Sequence, residues 1–189
     1  DDYCYPKRLE VQLKFMNEHP DIDLVGSNML VVNENGKVVG SRLFPQEHAM
    51  ICRQSYAGIY VAHPTFFGKI DFFKNNEYNH IPVNAQDQDL LLRTKKKAKF
   101  ANVDQILVCY RENLKLRKIY IMRRDLVVSR YLVKGISLKL IGLILTQAAK
   151  IAVDAFALWS GLNYKIFKHR ATPVDSKDIR EWKKVKRLL

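Results

Sequence analysis

Two runs rich in branched side chains, Asp23 to Asn33 (DLVGSNMLVVN) and Lys37 to Phe44 (KVVGSRLF), flank an Asn35-Gly36 pair. This arrangement constrains the fold more than any other feature of the chain. Branched residues suit the pleated, half-buried surface of a sheet. Asn-Gly tolerates the positive φ that a tight hairpin turn demands. The chain is therefore expected to place an antiparallel hairpin in its sheet. Two further strands are expected at Phe100 to Val103 and Gln105 to Tyr110, and Tyr60 to Lys69 reads as an extended segment entering the core. Helical patterns lie between them. Pro6 suits a first helical turn, Leu9, Leu13 and Met16 follow at helical spacing, and Pro20 ends the run. Short helices are expected at Glu47 to Tyr56 and around Ile70 to Asn75, followed by a polar loop at Asn76 to Asn84. Ala85 to Lys97 reads as a helix with Leu90, Leu91 and Leu92 inward and Lys95 to Lys97 near its negative end. Strands and helices alternate along the chain, so the class is α/β.

Charge divides the chain in two. Residues 1–92 hold 8 Lys and Arg against 12 Asp and Glu, whereas residues 93–189 hold 24 against 7. A half this basic points to a polyanion or an anionic membrane surface as its partner. The three cysteines, Cys4, Cys52 and Cys109, are far apart and form no C-x-x-C pair, which argues against zinc or a disulfide framework. Neither zinc-finger spacing nor an aromatic RNA-binding signature accompanies the basic residues, so no nucleic-acid partner is expected.

Two acidic clusters carry the candidate chemistry. Asp1 and Asp2 stand ahead of the first helix, and Gln86-Asp87-Gln88-Asp89 opens a later one. Acidic residues at helix starts are ordinary caps. Paired carboxylates also suit a hard cation such as Mg²⁺ or Mn²⁺, and a single carboxylate within hydrogen-bond reach of a hydroxyl can act as a general base.

The run Asp1-Asp2 … Pro6 … Arg8-Leu9-Glu10 … Gln12, followed by His19-Pro20-Asp21-Ile22-Asp23-Leu24-Val25-Gly26-Ser27, resembles a pattern of the family 2 glycosyltransferases. That pattern reads D-x-D-D-x-x-x-P-x-R-L-E-x-Q … H-P-x-I-D-V-V-G-S. His63-Pro64-Thr65 is similar to the family's H-P-T, Gln86 to Asp89 to its E-D-x-D, and Tyr110-Arg111 to the Y-R that ends its last strand. The likeness covers residues 1 to about 111, with Gln86 standing where the family has Glu. It implies the C-terminal half of a GT-A nucleotide-sugar transferase fold, a mixed sheet with flanking helices, over residues 1–112, beginning inside the D-x-D motif. The nucleotide-binding half would precede residue 1, leaving this chain alone incomplete and inactive. The implied reaction moves a sugar from a nucleotide-sugar donor to a hydroxyl acceptor, lipid-linked or free, with inversion. The implied setting is bacterial surface polysaccharide or glycolipid synthesis. Asp87 would be the general base, and Asp1 and Asp2 would hold a divalent metal, with one position of ambiguity between them. His63, Gln86, Asp89 and Arg111 would lie on the substrate side, Asp89 also bracing its helix.

Residues 113–189 read as a basic, amphipathic helical region. From Ile136 to Phe167 the chain is strongly apolar. Its charges, Lys139, Lys150, Asp154 and Lys165, fall with Gln147 within about 80° of one another on a helix. This suits one long helix, or two joined near Gly161, lying in an anionic membrane interface at the cytoplasmic face of the cell membrane. Packing onto the first half and a true span with Asp154 inside are the alternatives. Asp178 to Leu189 reads as a short basic helix with Ile179, Trp182 and Val185 on one face, either a second anchor or a solvated end. A non-catalytic basic module binding membrane or polyanion is the rival to the enzyme.

Overall fold

The computed structural model describes residues 2–81, 83–112, 115–162 and 172–187. It is an α/β arrangement in which a five-stranded mixed sheet carries helices. The expected hairpin forms from β2 (Leu24–Val32) and β3 (Val38–Arg42), running from Met29 opposite Arg42 to Val32 opposite Val38. Gly36 takes φ 72°, and the Asn33 Oδ1 accepts from the backbone N–H groups of Asn35 and Lys37. Turn chemistry thus fixes the register.

All nine residues of β2 are buried, because it has β3 on one side and a parallel partner, β5 (Phe100–Arg111), on the other. A parallel pair needs a long crossover. Here α2 (His48–Ile51), β4 (Phe67–Gly68), α3 (Ile70–Lys74) and α4 (Gln86–Thr94) supply it. The short β1 (Tyr3–Cys4) adds antiparallel to β5, giving the order β1-β5-β2-β3, and β4 pairs with the start of β2.

Several expectations need correcting. The two strands expected at 100–103 and 105–110 are one strand. Val103 lies opposite Ser27 and Ile106 opposite Asn28, so Asp104 and Gln105 form an outward irregularity. The Asn28 Nδ2 donates to Asp104 Oδ1 at 2.9 Å across that point. The helix expected over Glu47 to Tyr56 shortens to α2. In α1 (Arg8–Glu18), Leu9 and Leu13 face solvent and Gln12 is fully buried. Gln12 Nε2 donates to the carbonyls of Val25 and Thr65, which offsets the cost of its own burial. Val11, Phe15 and Met16 make the apolar contact of α1, against Val25, Ala101, Val103 and Leu107.

The boundary expected near Asn113 falls outside the described residues, as do Asp1 and Lys165. Beyond it, α5 (Leu116–Lys134) and α6 (Leu138–Trp159) form a helical hairpin, with Gly135 at φ 65° and the Ser137 hydroxyl accepting from Leu140 N–H. The narrow polar stripe expected on α6 divides. Gln147 and Asp154 are buried against α5, whereas Lys139 and Lys150 are exposed. The last helix, α7 (Ser176–Arg187), is neither an anchor nor a solvated end. Trp182 and Val185 are buried against Leu30, Val32 and Cys109, with Tyr3 and Tyr5 beside them, and the Tyr3 and Trp182 rings lie 5.8 Å apart.

Two tryptophans test this packing. Trp182→Ala should cost about 3–5 kcal/mol by leaving a cavity on the sheet, while Trp159→Ala, at an exposed site, should change stability by less than about 0.5 kcal/mol. Denaturant unfolding of both variants is the measurement. Equal effects would contradict the seat of α7.

Candidate functional site

A cleft of about 440 Å³ opens between the start of α4, the ends of β3 and β5, the segment 57–60 and the side of α5. Asp87 lines it from the first turn of α4. No hydrogen bond ties the Asp87 carboxylate to another described residue, so both oxygens remain open to a ligand. Opposite stand Tyr110 at the end of β5 and an ion pair between Arg42 of β3 and Glu112. The Arg42 guanidinium lies 5.6 Å from the Tyr110 ring centre. From α5, Lys118, Ile119, Met122, Arg123 and Leu126 close the far side, so the cleft is part polar and part aliphatic.

The Tyr110 phenol reports on how the acidic clusters meet. Burial is the main cause of its raised pKa. Arg42 pulls it back, and Glu112, Asp2 and Asp87 push it further up. Carboxylates from residues 2 and 87 therefore act on one hydroxyl, although 85 positions separate them in the chain. Asp2 belongs to the β1 end of the sheet, where its Oδ1 accepts from the Arg111 backbone N–H at 3.0 Å.

What holds Asp87 in place is a set of polar clamps from distant segments. The side chain of its neighbour Gln88 bonds Ile59 twice, accepting from the N–H at 2.9 Å and donating to the carbonyl at 3.0 Å. That fixes one wall of the cleft, which Asn102 Nδ2 also holds by donating to Tyr60 O at 2.8 Å. Arg130 of α5 is fully buried beneath α4. It donates to the carbonyls of Ser55, Tyr56 and Gln88 and to the Gln88 side chain. Burial lowers its pKa to about 10, against the opposing pull of Asp87 and Asp89. One turn earlier on α5, Asp125 Oδ2 accepts from both the backbone and the side-chain N–H of Asn84, each at 3.0 Å. Burial alone would raise the Asp125 carboxyl. The hydrogen bonds from Asn84 and Arg124 outweigh it and hold it below its ordinary range.

The other residues singled out by sequence take varied places. Asp89 is fully buried, and its Oδ2 accepts from Arg93 at 2.8 Å and Asn79 at 2.7 Å. It braces α4 and does not line the cleft. Gln86 Nε2 donates to Asn79 O, steadying the same loop. His63 lies outside the cleft, its Nε2 3.2 Å from the Tyr78 hydroxyl. Burial raises the Tyr78 pKa and nearby Asp87 adds to the rise, so Tyr78 stands between His63 and the site. Arg111 lies over the Tyr3 ring and donates to its hydroxyl, joining β1 to β5. Sequence reasoning missed Gln88, Asn84, Asp125 and Arg130. No local signal marked Arg130, whose run Leu126–Val133 also holds the exposed Tyr131 and Leu132.

Among the described residues no three His, Cys, Asp or Glu side chains gather closely enough to hold a metal ion by themselves. Magnesium is commonly held by only one or two carboxylates, with substrate phosphates and water completing its shell. The second Asp2 oxygen is compatible with such a site.

No family model matches the chain. Over 114 residues, 59% of its length, it is 30% identical to an uncharacterized glycosyltransferase of Methanocaldococcus jannaschii. The match covers 39% of that protein, so the chain spans well under half of the relative's length. The relationship is to a glycosyltransferase.

Arg130 offers a direct test of the clamp. Arg130→Lys keeps the charge and loses the planar fork that reaches several carbonyls at once. It should cost about 2 kcal/mol or more, lowering the unfolding midpoint by roughly 4–8 °C for a chain of this size. An unchanged midpoint in a calorimetric scan would contradict the clamp.

Proposed function

We propose that this chain is the acceptor-side half of a family 2 glycosyltransferase of the GT-A type. The reaction moves a sugar from a nucleotide-sugar donor to a hydroxyl acceptor, with inversion at the anomeric carbon. The observation that carries this reading is an Asp87 carboxylate without a hydrogen-bond partner among the described residues, lining an open cleft beside Arg42, Tyr110 and Glu112. Relationship to a glycosyltransferase supports the same class.

In this reading Asp87 is the general base. Its carboxylate takes the proton of the acceptor hydroxyl as that oxygen attacks the anomeric carbon. The bond from that carbon to the nucleotide diphosphate breaks, and its electron pair leaves with the diphosphate. The hydroxyl must come within hydrogen-bond reach of an Asp87 oxygen, and the uncommitted carboxylate allows that. Positioning is the task of the residues behind it. Gln88, Arg130 and the Asn84–Asp125 pair keep α4 from shifting, and a misplacement of even ~1 Å in a reacting group is costly. Arg42, Glu112 and Tyr110 present a polar wall suited to the hydroxyl groups of a sugar. Asp2, with Asp1 beside it in sequence, would hold Mg²⁺ or Mn²⁺. When bound, such an ion offsets the charge that develops on the departing diphosphate.

Asp87→Asn in the intact gene product should lower transfer by about a hundred- to ten-thousand-fold. Affinity for the nucleotide sugar should stay nearly unchanged, since the amide preserves shape and Asp87 faces the acceptor. Steady-state turnover and equilibrium donor binding check the two halves of this expectation. Wild-type turnover in the variant would refute the base assignment.

A further inference from the structure

Unlike a helix at the surface of a soluble domain, α6 is largely apolar on its exposed side as well as its buried one. Its buried stripe sets Gln147 and Asp154 among Leu140, Leu143 and Ala157. Arg123 of α5 donates to Gln147 Oε1 at 2.8 Å and to Asp154 Oδ2 at 2.7 Å. Its outer side presents Leu138, Ile141, Leu145, Val153, Phe156 and Trp159, the last 83% exposed. Apolar side chains in such a continuous band mark an interaction surface.

The charges around this band have one sign. On α5 and α6 the exposed charged residues are Arg117, Lys118, Arg124, Lys134, Lys139 and Lys150, all cationic. The acids of these two helices, Asp125 and Asp154, are both buried. An apolar face bordered by cations complements a lipid surface bearing anionic headgroups. It suits a second copy of the chain poorly, because pairing would bring two cationic borders together. A transmembrane course is also disfavoured. Leu138–Trp159 has the length and hydropathy for one, but Arg123 fastens α6 along α5. Insertion would drag Arg117, Lys118 and Arg124 into hydrocarbon.

We propose that α6 lies in the plane of an anionic bilayer with its Leu145, Phe156 and Trp159 side sunk into one leaflet. Arg123 and Gln147 both line the Asp87 cleft. The clasp between them therefore sets that cleft at the lipid surface. The cytoplasmic leaflet provides the required charge. This association is independent of sugar transfer and holds for the purified 189-residue chain.

Vesicle flotation combined with tryptophan emission tests it. Trp182 is buried and Trp159 exposed, so a blue shift on lipid binding reports Trp159. Phosphatidylcholine vesicles containing phosphatidylglycerol should carry the chain upward and shift its emission. Trp159→Phe should abolish the shift and retain flotation. Leu145→Asp and Phe156→Asp should each weaken partitioning by about tenfold or more while circular dichroism stays unchanged. Three results would overturn the proposal. One is flotation that salt reverses without any Trp159 shift. Another is a chain that remains in solution with anionic vesicles. The third is a dimer, detected by light scattering, that Leu145→Asp dissociates.

Discussion

A buried guanidinium holds the candidate site together. Arg130 has no exposed surface, and an unpaired cation in that setting would be prohibitively costly. Its cost is offset by carbonyls from two segments, Ser55-Tyr56 and Gln88, and by the field of Asp87 and Asp89. With a pKa lowered only to about 10, the group stays charged at neutral pH. The interaction binds α5, α4 and the segment before the cleft wall into one unit. Because Gln88 passes the restraint to Ile59, the shape of the cleft and the direction of Asp87 both depend on Arg130.

The helix that carries Arg130 serves two sides. Toward the sheet, Asp125 and Arg130 fix the start of α4. Toward α6, Arg123 engages Gln147 and Asp154. The bonds from Arg123 thus join the helices beside the buried Leu140, Leu143 and Ala157. The outer face of α6 is largely apolar too, which departs from the usual pattern of a water-exposed helix. The basic half of the chain is therefore two populations of charge. Arg130 is withdrawn from solvent and Arg123 is tied up at the cleft edge, whereas the remaining cations of α5 and α6 lie at the surface.

Features set by local chemistry were legible in the sequence. Asn35-Gly36 specified its hairpin, and the three leucines of α4 are buried as their spacing requires. The placement of Asp87 at a helix start followed from the same kind of signal, whereas the mixed sheet was an expectation of the family resemblance. Long-range pairing defeated the reading elsewhere. Asp104-Gln105 looks like a turn between strands, but pairing with the distant β2 resumes beyond it, and Asn28, 76 positions away, bonds Asp104 across the irregularity. Leu9 and Leu13 looked like the inner face of α1 because the carbonyls that recruit Gln12 lie beyond that helix. Likewise, the carbonyls that hold Arg130 are 42 to 75 residues distant, so nothing nearby separates it from its solvated neighbours.

The central claim is that the Asp87 cleft belongs to a transferase acting on nucleotide sugars. Its most direct test is nucleotide release by the intact gene product from UDP-, GDP- and dTDP-sugars, measured with Mg²⁺ or Mn²⁺ and again with a chelator. The account predicts release from at least one donor that depends on the metal and rises when a hydroxyl acceptor is supplied. Absence of release from every donor, or release unchanged by chelation, would contradict it.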